Sequence, residues 1–325
     1  MRRSYVFLMT LVLFACKNND KGNDDTLAQP PYQTFTDSIS NFPGRADLYY
    51  KRGVLLFQND QLAYAKNDFQ KAWETSAQEE YALSMTTVLK KISPDSAILF
   101  LENATRKLPQ SIALQVGLAR GYQNKGESEK ALEITNNVIK KYPAQLDALS
   151  IKSEIQAAMN DKKGSLASLE KAYSLAPADP VIAYDLAYAY ADAKESKAIE
   201  LSDSLINSKT EEPEKAWYIK GVYYANTGNT DKAVKSFDNA IKLNYNFLDA
   251  YRDKGQVLMN ERKFKEALKT YSLALKIAPA SADFYYLIGK AQQALGNNTE
   301  AKINYLRAYG LDKTLSEAKE AAEKL

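Results

Sequence analysis

The sequence predicts an all-α protein, a solenoid of about eight helical hairpins closed by a C-terminal capping helix. Three observations carry that expectation. Gly221, Gly255 and Gly289 recur every 34 residues, and so do Ala233, Ala267 and Ala301, then Phe237, Tyr271 and Tyr305, then Ala240, Ala274 and Ala308. Pro109, Pro143 and Pro177 keep the same 34-residue spacing, and Pro279 lies three periods further on. Proline has no N–H to donate and pushes the preceding residue out of helical space, so such a ladder marks where one helix ends and another begins. Composition agrees: 325 residues hold only 13 glycines and 10 prolines at 45% hydrophobic content, enough apolar surface for a helical core.

Residues 214–246 show why the columns exist. Trp217, Gly221 and Tyr224 fall at i, i+4 and i+7, on one face of a helix. Ala233, Phe237 and Ala240 repeat that spacing on a second helix, after a turn at 226–231 that contains Gly228. The small residues let two backbones approach while the aromatic ones fill the space around them. On these residues the segment resembles the tetratricopeptide repeat, a helix–turn–helix unit of 34 residues. The resemblance implies that the units stack into a right-handed superhelix. Two positions depart from its pattern: Lys220 replaces an apolar residue, and Tyr245 replaces the closing proline.

Taken in order, residues 1–15 read as a signal peptide. Arg2 and Arg3 precede an apolar stretch at 5–14 that is too short to span a bilayer as a helix. Leu13-Phe14-Ala15-Cys16 resembles a bacterial lipobox, which implies cleavage before Cys16 and lipid on its thiol. Residues 16–31 are polar and read as a disordered tether. Lys17 is similar to outer-membrane sorting signals, and Asp20, Asp24 and Asp25 are similar to the export signal of surface-exposed lipoproteins. The expected localisation is therefore a bacterial outer-membrane lipoprotein on the periplasmic or surface face.

Residues 32–45 read as an N-terminal cap helix. The array follows at 46–77, 78–111, 112–145, 146–179, 180–213, 214–247, 248–281 and 282–313, its first unit two residues short. Ser93-Pro94 supplies a cap and first turn within the second unit. The unit from Pro180 is the irregular one, with Ala198 one residue early and a loose polar connection at 207–213. Residues 314–325 form the C-terminal cap.

Composition also excludes functions. Without Arg2 and Arg3 the 43 basic residues become 41 against 40 acidic ones, a balance unsuited to nucleic acid. There is no histidine, and Cys16 is the sole cysteine, so the commonest general base and the thiolate metal sites are missing. No nucleophile-elbow, phosphate-loop or dinucleotide motif occurs, and carboxylate pairs such as Glu211-Glu212 sit in loops. No enzyme, cofactor or metal is expected.

The resemblance implies that the first helices line a concave groove. Mapped onto this chain, that groove holds Tyr50, Phe57, Arg120, Asn124, Tyr184, Tyr188, Tyr218, Arg252, Asn260, Tyr286 and Lys290. Tyrosine and arginine suit such a surface because each joins a large rigid contact to a polar tip. Many of the 22 tyrosines, Tyr81, Tyr122, Tyr251 and Tyr305 among them, fall instead at core positions. The clamp asparagine of chaperone-binding relatives is replaced by Val54, Thr86, Arg120, Glu154, Tyr188, Val222, Gln256 and Lys290, so capture of an acidic chain terminus is not expected. Four Asp-Ser/Thr-apolar triplets, at Thr26, Ser38, Ser96 and Ser204, resemble an O-glycosylation motif, and Asp95 with Ser96 serves equally well in a helix's first turn.

The expected function is a lipid-anchored scaffold binding envelope proteins or peptides through the groove, with its oligomeric state open. The alternatives are a structural or assembly subunit of an envelope machine, and a glycan or peptidoglycan binder.

Overall fold

The computed structural model describes residues 25–208 and 211–325. The expected signal peptide, Cys16 and most of the tether lie outside the described residues, as do Lys209 and Thr210. Within them, regular structure consists of one 3-10 turn and α-helices, with no strand. They divide into two compact units at Leu114/Gln115.

The first unit opens with a 3-10 turn, Asp25–Ala28, inside the stretch expected to be tether. The Leu27 carbonyl accepts a hydrogen bond from the Thr36 hydroxyl at 2.5 Å, and Leu27 packs against the core around buried Tyr32. Order therefore begins earlier than composition suggests, because Leu27 and Tyr32 give the turn apolar area to bury. Helix α1 (Gln33–Asn41) packs on α2 (Ala46–Gln58), which forms a hairpin with α3 (Leu62–Thr75). Helices α4 (Glu79–Ile92) and α5 (Pro94–Lys107) make the next hairpin, with the Ser93 hydroxyl accepting from the Ser96 N–H and Pro94 in the first turn. Between α2 and α3, Arg52 donates two 2.7 Å bonds to the Asp68 carboxylate, both side chains nearly sealed from water. Thr36 accepts a third bond from the same guanidinium at 2.8 Å.

The division between units falls in the first turn of α6 (Ile112–Asn124), which is followed by α7 (Ser128–Lys141), whose Lys130 ammonium lies 5.0 Å from the centre of the Tyr122 ring on α6. The following pairs are α8 (Leu146–Ala158) with α9 (Lys162–Leu175), and α10 (Pro180–Asp192) with α11 (Lys197–Asn207). Next come α12 (Pro213–Asn226) with α13 (Thr230–Leu243), and α14 (Leu248–Asn260) with α15 (Phe264–Ile277). The last pair is α16 (Ala282–Ala294) with α17 (Asn298–Leu311). Helix α18 (Ser316–Glu323) covers α17 with Ala318 and Ala322, both buried. Helix α10 packs on α12 as well as on its own partner α11.

Two structural rules underlie the 34-residue columns. At the hairpin crossing, the glycine of the first helix faces the ring of the second. A Cβ on Gly53, Gly221, Gly255 or Gly289 would meet Phe69, Phe237, Tyr271 or Tyr305 at 2.8, 2.5, 2.1 or 2.6 Å. Only glycine admits the ring. At the hairpin turn, one residue takes positive φ: Gly126, Asn160, Lys194, Gly228, Arg262 and Gly296, each 34 residues after the last, and Asp60 in the shorter first hairpin. The α4–α5 connection has none among the described residues, because its Ser93-Pro94 cap turns the chain instead.

The departure at Lys220 also has a cause. Its ammonium reaches Asp203 on α11 and lies 4.8 Å from the centre of the Trp217 ring. Lys254, one period on, pairs with Asp238 at 2.6 Å. The stems pack in the interface while the charged ends find carboxylates at its rim.

Candidate binding groove

In the second unit, the first helices α8, α10, α12 and α14 leave two adjoining recesses. The first, about 370 Å³, lies between α8, α9 and α10, with Ala157, Leu169 and Ala189 supplying apolar surface. The second, about 280 Å³, lies between α10, α12 and the start of α14, bordered by Val181, Ile219 and Phe247. Asp185 and Tyr188, one turn apart on α10, line both. Helical periodicity puts them side by side at i and i+3.

Three of the expected groove residues come together here. Tyr188 is 46% exposed, and its ring lies nearly parallel to that of Tyr218, 11° between planes and 6.5 Å between centroids. Tyr218 is held by Phe247 at 5.0 Å and by a 2.7 Å hydrogen bond from its hydroxyl to Asp253. Burial together with that bond drives the Tyr218 phenol far above its usual pKa, so it stays a donor. Tyr184 is more enclosed than a groove residue was expected to be. It joins the core around Leu186 and Ala216, and its hydroxyl donates to the Glu212 carbonyl at 2.8 Å.

The walls are rich in carboxylates, and most are paired. Glu154 takes two bonds from Arg120, at 3.0 and 3.1 Å. Asp192 pairs with Lys162 at 2.7 Å, Glu212 with Lys215 at 2.6 Å, and Asp249 with Arg252. Arg252 also donates to Asp283 at 2.7 Å. Asp185 accepts no hydrogen bond and forms no ion pair among the described residues. Its carboxyl keeps contact with water, yet the protein around it raises its pKa, mainly by desolvation and also through Glu154, with Lys215 opposing.

The remaining expected residues are dispersed. Tyr50 and Phe57 belong to the first unit, where Tyr50 donates to Glu80 at 2.8 Å and the Lys91 ammonium lies over the Phe57 ring. Asn124 is exposed, and Asn260 accepts from Gln256 on its own helix. Tyr286 lies against Tyr305, with the Lys290 ammonium over its ring at 5.6 Å. Sequence reasoning missed Asp185, and also Lys162, Ser165 and Leu169, because a rule confined to selected first-helix positions omits them. The one signal available was Asp185 three residues before an expected groove tyrosine. Among the described residues, no helix is long and apolar enough to cross a membrane.

Tetratricopeptide repeat models match residues 113–144, 214–247 and 282–315, and a TPR repeat model matches 262–296. Over these residues the chain carries tetratricopeptide repeats. A TPR repeat-containing protein of Methanocaldococcus jannaschii is 26% identical over 70% of this chain and 36% of its own length. Heat shock protein STI1 of Saccharomyces cerevisiae is 30% identical over 31% of this chain and 19% of its own. The chain thus spans only about a third or less of the curated relatives it matches. Among solved structures, a tetratricopeptide repeat protein from Parabacteroides merdae superposes with TM-score 0.60 at 17% identity, over 75% of this chain and 97% of that one. PilW, described as a type IV pilus biogenesis factor, superposes with TM-score 0.53 at 18% identity, over 63% and 95%.

Proposed function

We propose that this chain is a non-catalytic scaffold that binds a segment of a partner protein along α8, α10, α12 and α14, tethered to a bacterial envelope membrane through lipid on Cys16. The observation that carries the groove is the pair of adjoining recesses around Tyr188, apolar beneath and polar at the rim. That is the make-up of a peptide-binding surface. The tether rests on the lipobox resemblance of residues 13–16 and on Cys16 being the sole cysteine. The partners are other envelope proteins or peptides, and the site is the outer membrane, on its periplasmic or surface face.

A second reading, a structural subunit working through its outer surface, has one observation behind it. Ile303 and Leu306, neighbours on α17, are 57% and 50% exposed. Substitution separates the two. Tyr188→Ala alters the groove at an exposed side chain, whereas Tyr184→Ala would also damage the core. Crosslinking and affinity capture from envelopes should lose its partners with Tyr188→Ala and keep them with Ile303→Ser plus Leu306→Ser; the opposite result would replace the groove with α17. Cys16→Ala should release the chain from the membrane fraction. A chain that stays in the membrane after that change would remove the lipid tether from the reading.

A further inference from the structure

The groove's charge is not balanced. The two recesses are walled by five carboxylates, those of Glu154, Asp185, Asp192, Glu212 and Asp249, and by two ammoniums, those of Lys162 and Lys215. Arg120 and Arg252 reach in to pair Glu154 and Asp249, and the two lysines take Asp192 and Glu212. Every wall carboxylate but one then has a cation. The exception is Asp185, and it stands where the two recesses meet. Beside it, Tyr188 presents an exposed ring stacked on Tyr218, a face that a planar cation can cover. The field on Tyr188 points the same way: burial is the first cause of its raised pKa, and Asp253, Asp192 and Asp249 add to it against Lys162 alone. An acidic or neutral segment crossing here would leave Asp185 without a partner; a basic one would supply it.

We infer that the groove seats a partner segment carrying an arginine, with the guanidinium against Asp185 and the Tyr188 ring and the flanking apolar side chains in the two recesses. The inference rests on the reading that this groove binds peptides and names the chemistry of the peptide. Arginine is favoured over lysine because its flat group can meet a carboxylate at its edge and a ring at its face together, which a compact ammonium cannot.

The test uses fluorescein-labelled, end-blocked heptapeptide mixtures, random except for a fixed centre of Arg, Lys, citrulline or Glu, titrated against the purified full chain. The Arg-centred mixture should bind about tenfold or more tighter than the citrulline-centred one, the loss expected for a charge-assisted contact. Asp185→Asn, with its circular dichroism melt recorded alongside, should erase that difference while keeping whatever affinity the two mixtures share. Asp185→Lys should shift the preference to the Glu-centred mixture. Equal binding of all four mixtures, sensitive to Tyr188→Ala, would overturn the arginine inference and leave the peptide groove standing. No binding by any mixture would overturn both. An Arg preference that survives Asp185→Asn would place the cation elsewhere and sink the inference.

Discussion

The Tyr271 hydroxyl is sealed from water and has no hydrogen-bond partner among the described residues, while the hydroxyl of Tyr305, one period on, donates to Gln293 at 2.7 Å. In the earlier repeats whose first helix also carries the crossing glycine, at Gly53 and Gly221, this column holds Phe69 and Phe237, so there the ring is what the site needs. Tyr271→Phe should therefore stabilise the protein by about 1 kcal/mol, by removing a buried polar group with no bond, and Tyr305→Phe should cost about as much. Urea melts of the two variants give opposite signs, or the difference in bonding is unimportant. Gly255→Ala should cost about 1–3 kcal/mol, since its new methyl would lie 2.1 Å from the Tyr271 ring and force that ring from its seat. Asp185 yields a pH effect of defined sign. Its folded pKa is raised by burial and by Glu154, so the folded state holds the proton more tightly than the unfolded chain. The associated stability is complete below the unfolded carboxylate value and is lost as pH rises through the folded one. Asp185→Asn should therefore gain on the wild type between acid and neutral pH, by less than about 1 kcal/mol because the group keeps water. Thermal melts across that range would show the gain, and a widening loss would mean Asp185 is paired in solution.

At the scale of the helical hairpin, legibility depended on whether chemistry or shape fixed the position. The crossing was readable because nothing but glycine fits beneath the ring, so sequence and structure share the 34-residue column. The turn was readable only where it carries a glycine, at Gly126, Gly228 and Gly296. Asn160, Lys194 and Arg262 adopt the same left-handed backbone and leave no mark in the sequence, because a non-glycine residue there costs little enough to be tolerated. Arg262→Gly should relieve that strain and stabilise the α14–α15 hairpin by about 0.5–1 kcal/mol, the gain being reduced by glycine's greater freedom when unfolded. A loss of stability in chemical denaturation would mean that Arg262 makes a compensating contact. The groove was less legible than the hairpin. Tyr188 and Tyr218 stood at positions a rule could name, but Asp185 becomes distinctive only once the neighbouring carboxylates are seen to be paired, and pairing between successive repeats has no sequence signature. Tyr184 is both at once, lining the second recess while packing into the core.

Within each of the two units, stability is built from hairpins that touch their neighbours, so parts should fold without the rest. The chain divides into two compact units at Leu114/Gln115. The cluster around Leu56, Phe69 and Met85 lies wholly before it, while those around Leu186, Phe237 and Tyr271 lie wholly after it. The Ser111 hydroxyl accepts from the Leu114 N–H at 3.1 Å, so a chain begun at Ser111 keeps the cap of α6. The fragment 111–325 should then fold on its own, with full helical circular dichroism for its length and a cooperative urea transition. Its m-value should be smaller than that of the whole chain, because less surface is exposed on unfolding. Both recesses are lined only by residues between Ser153 and Asp249, so the fragment should also keep the affinity of the full chain for the Arg-centred peptides. A fragment that is folded but no longer binds would show that residues before 111 complete the groove. One that is unfolded would show that the second unit borrows its stability from the first, against the additive account of the fold.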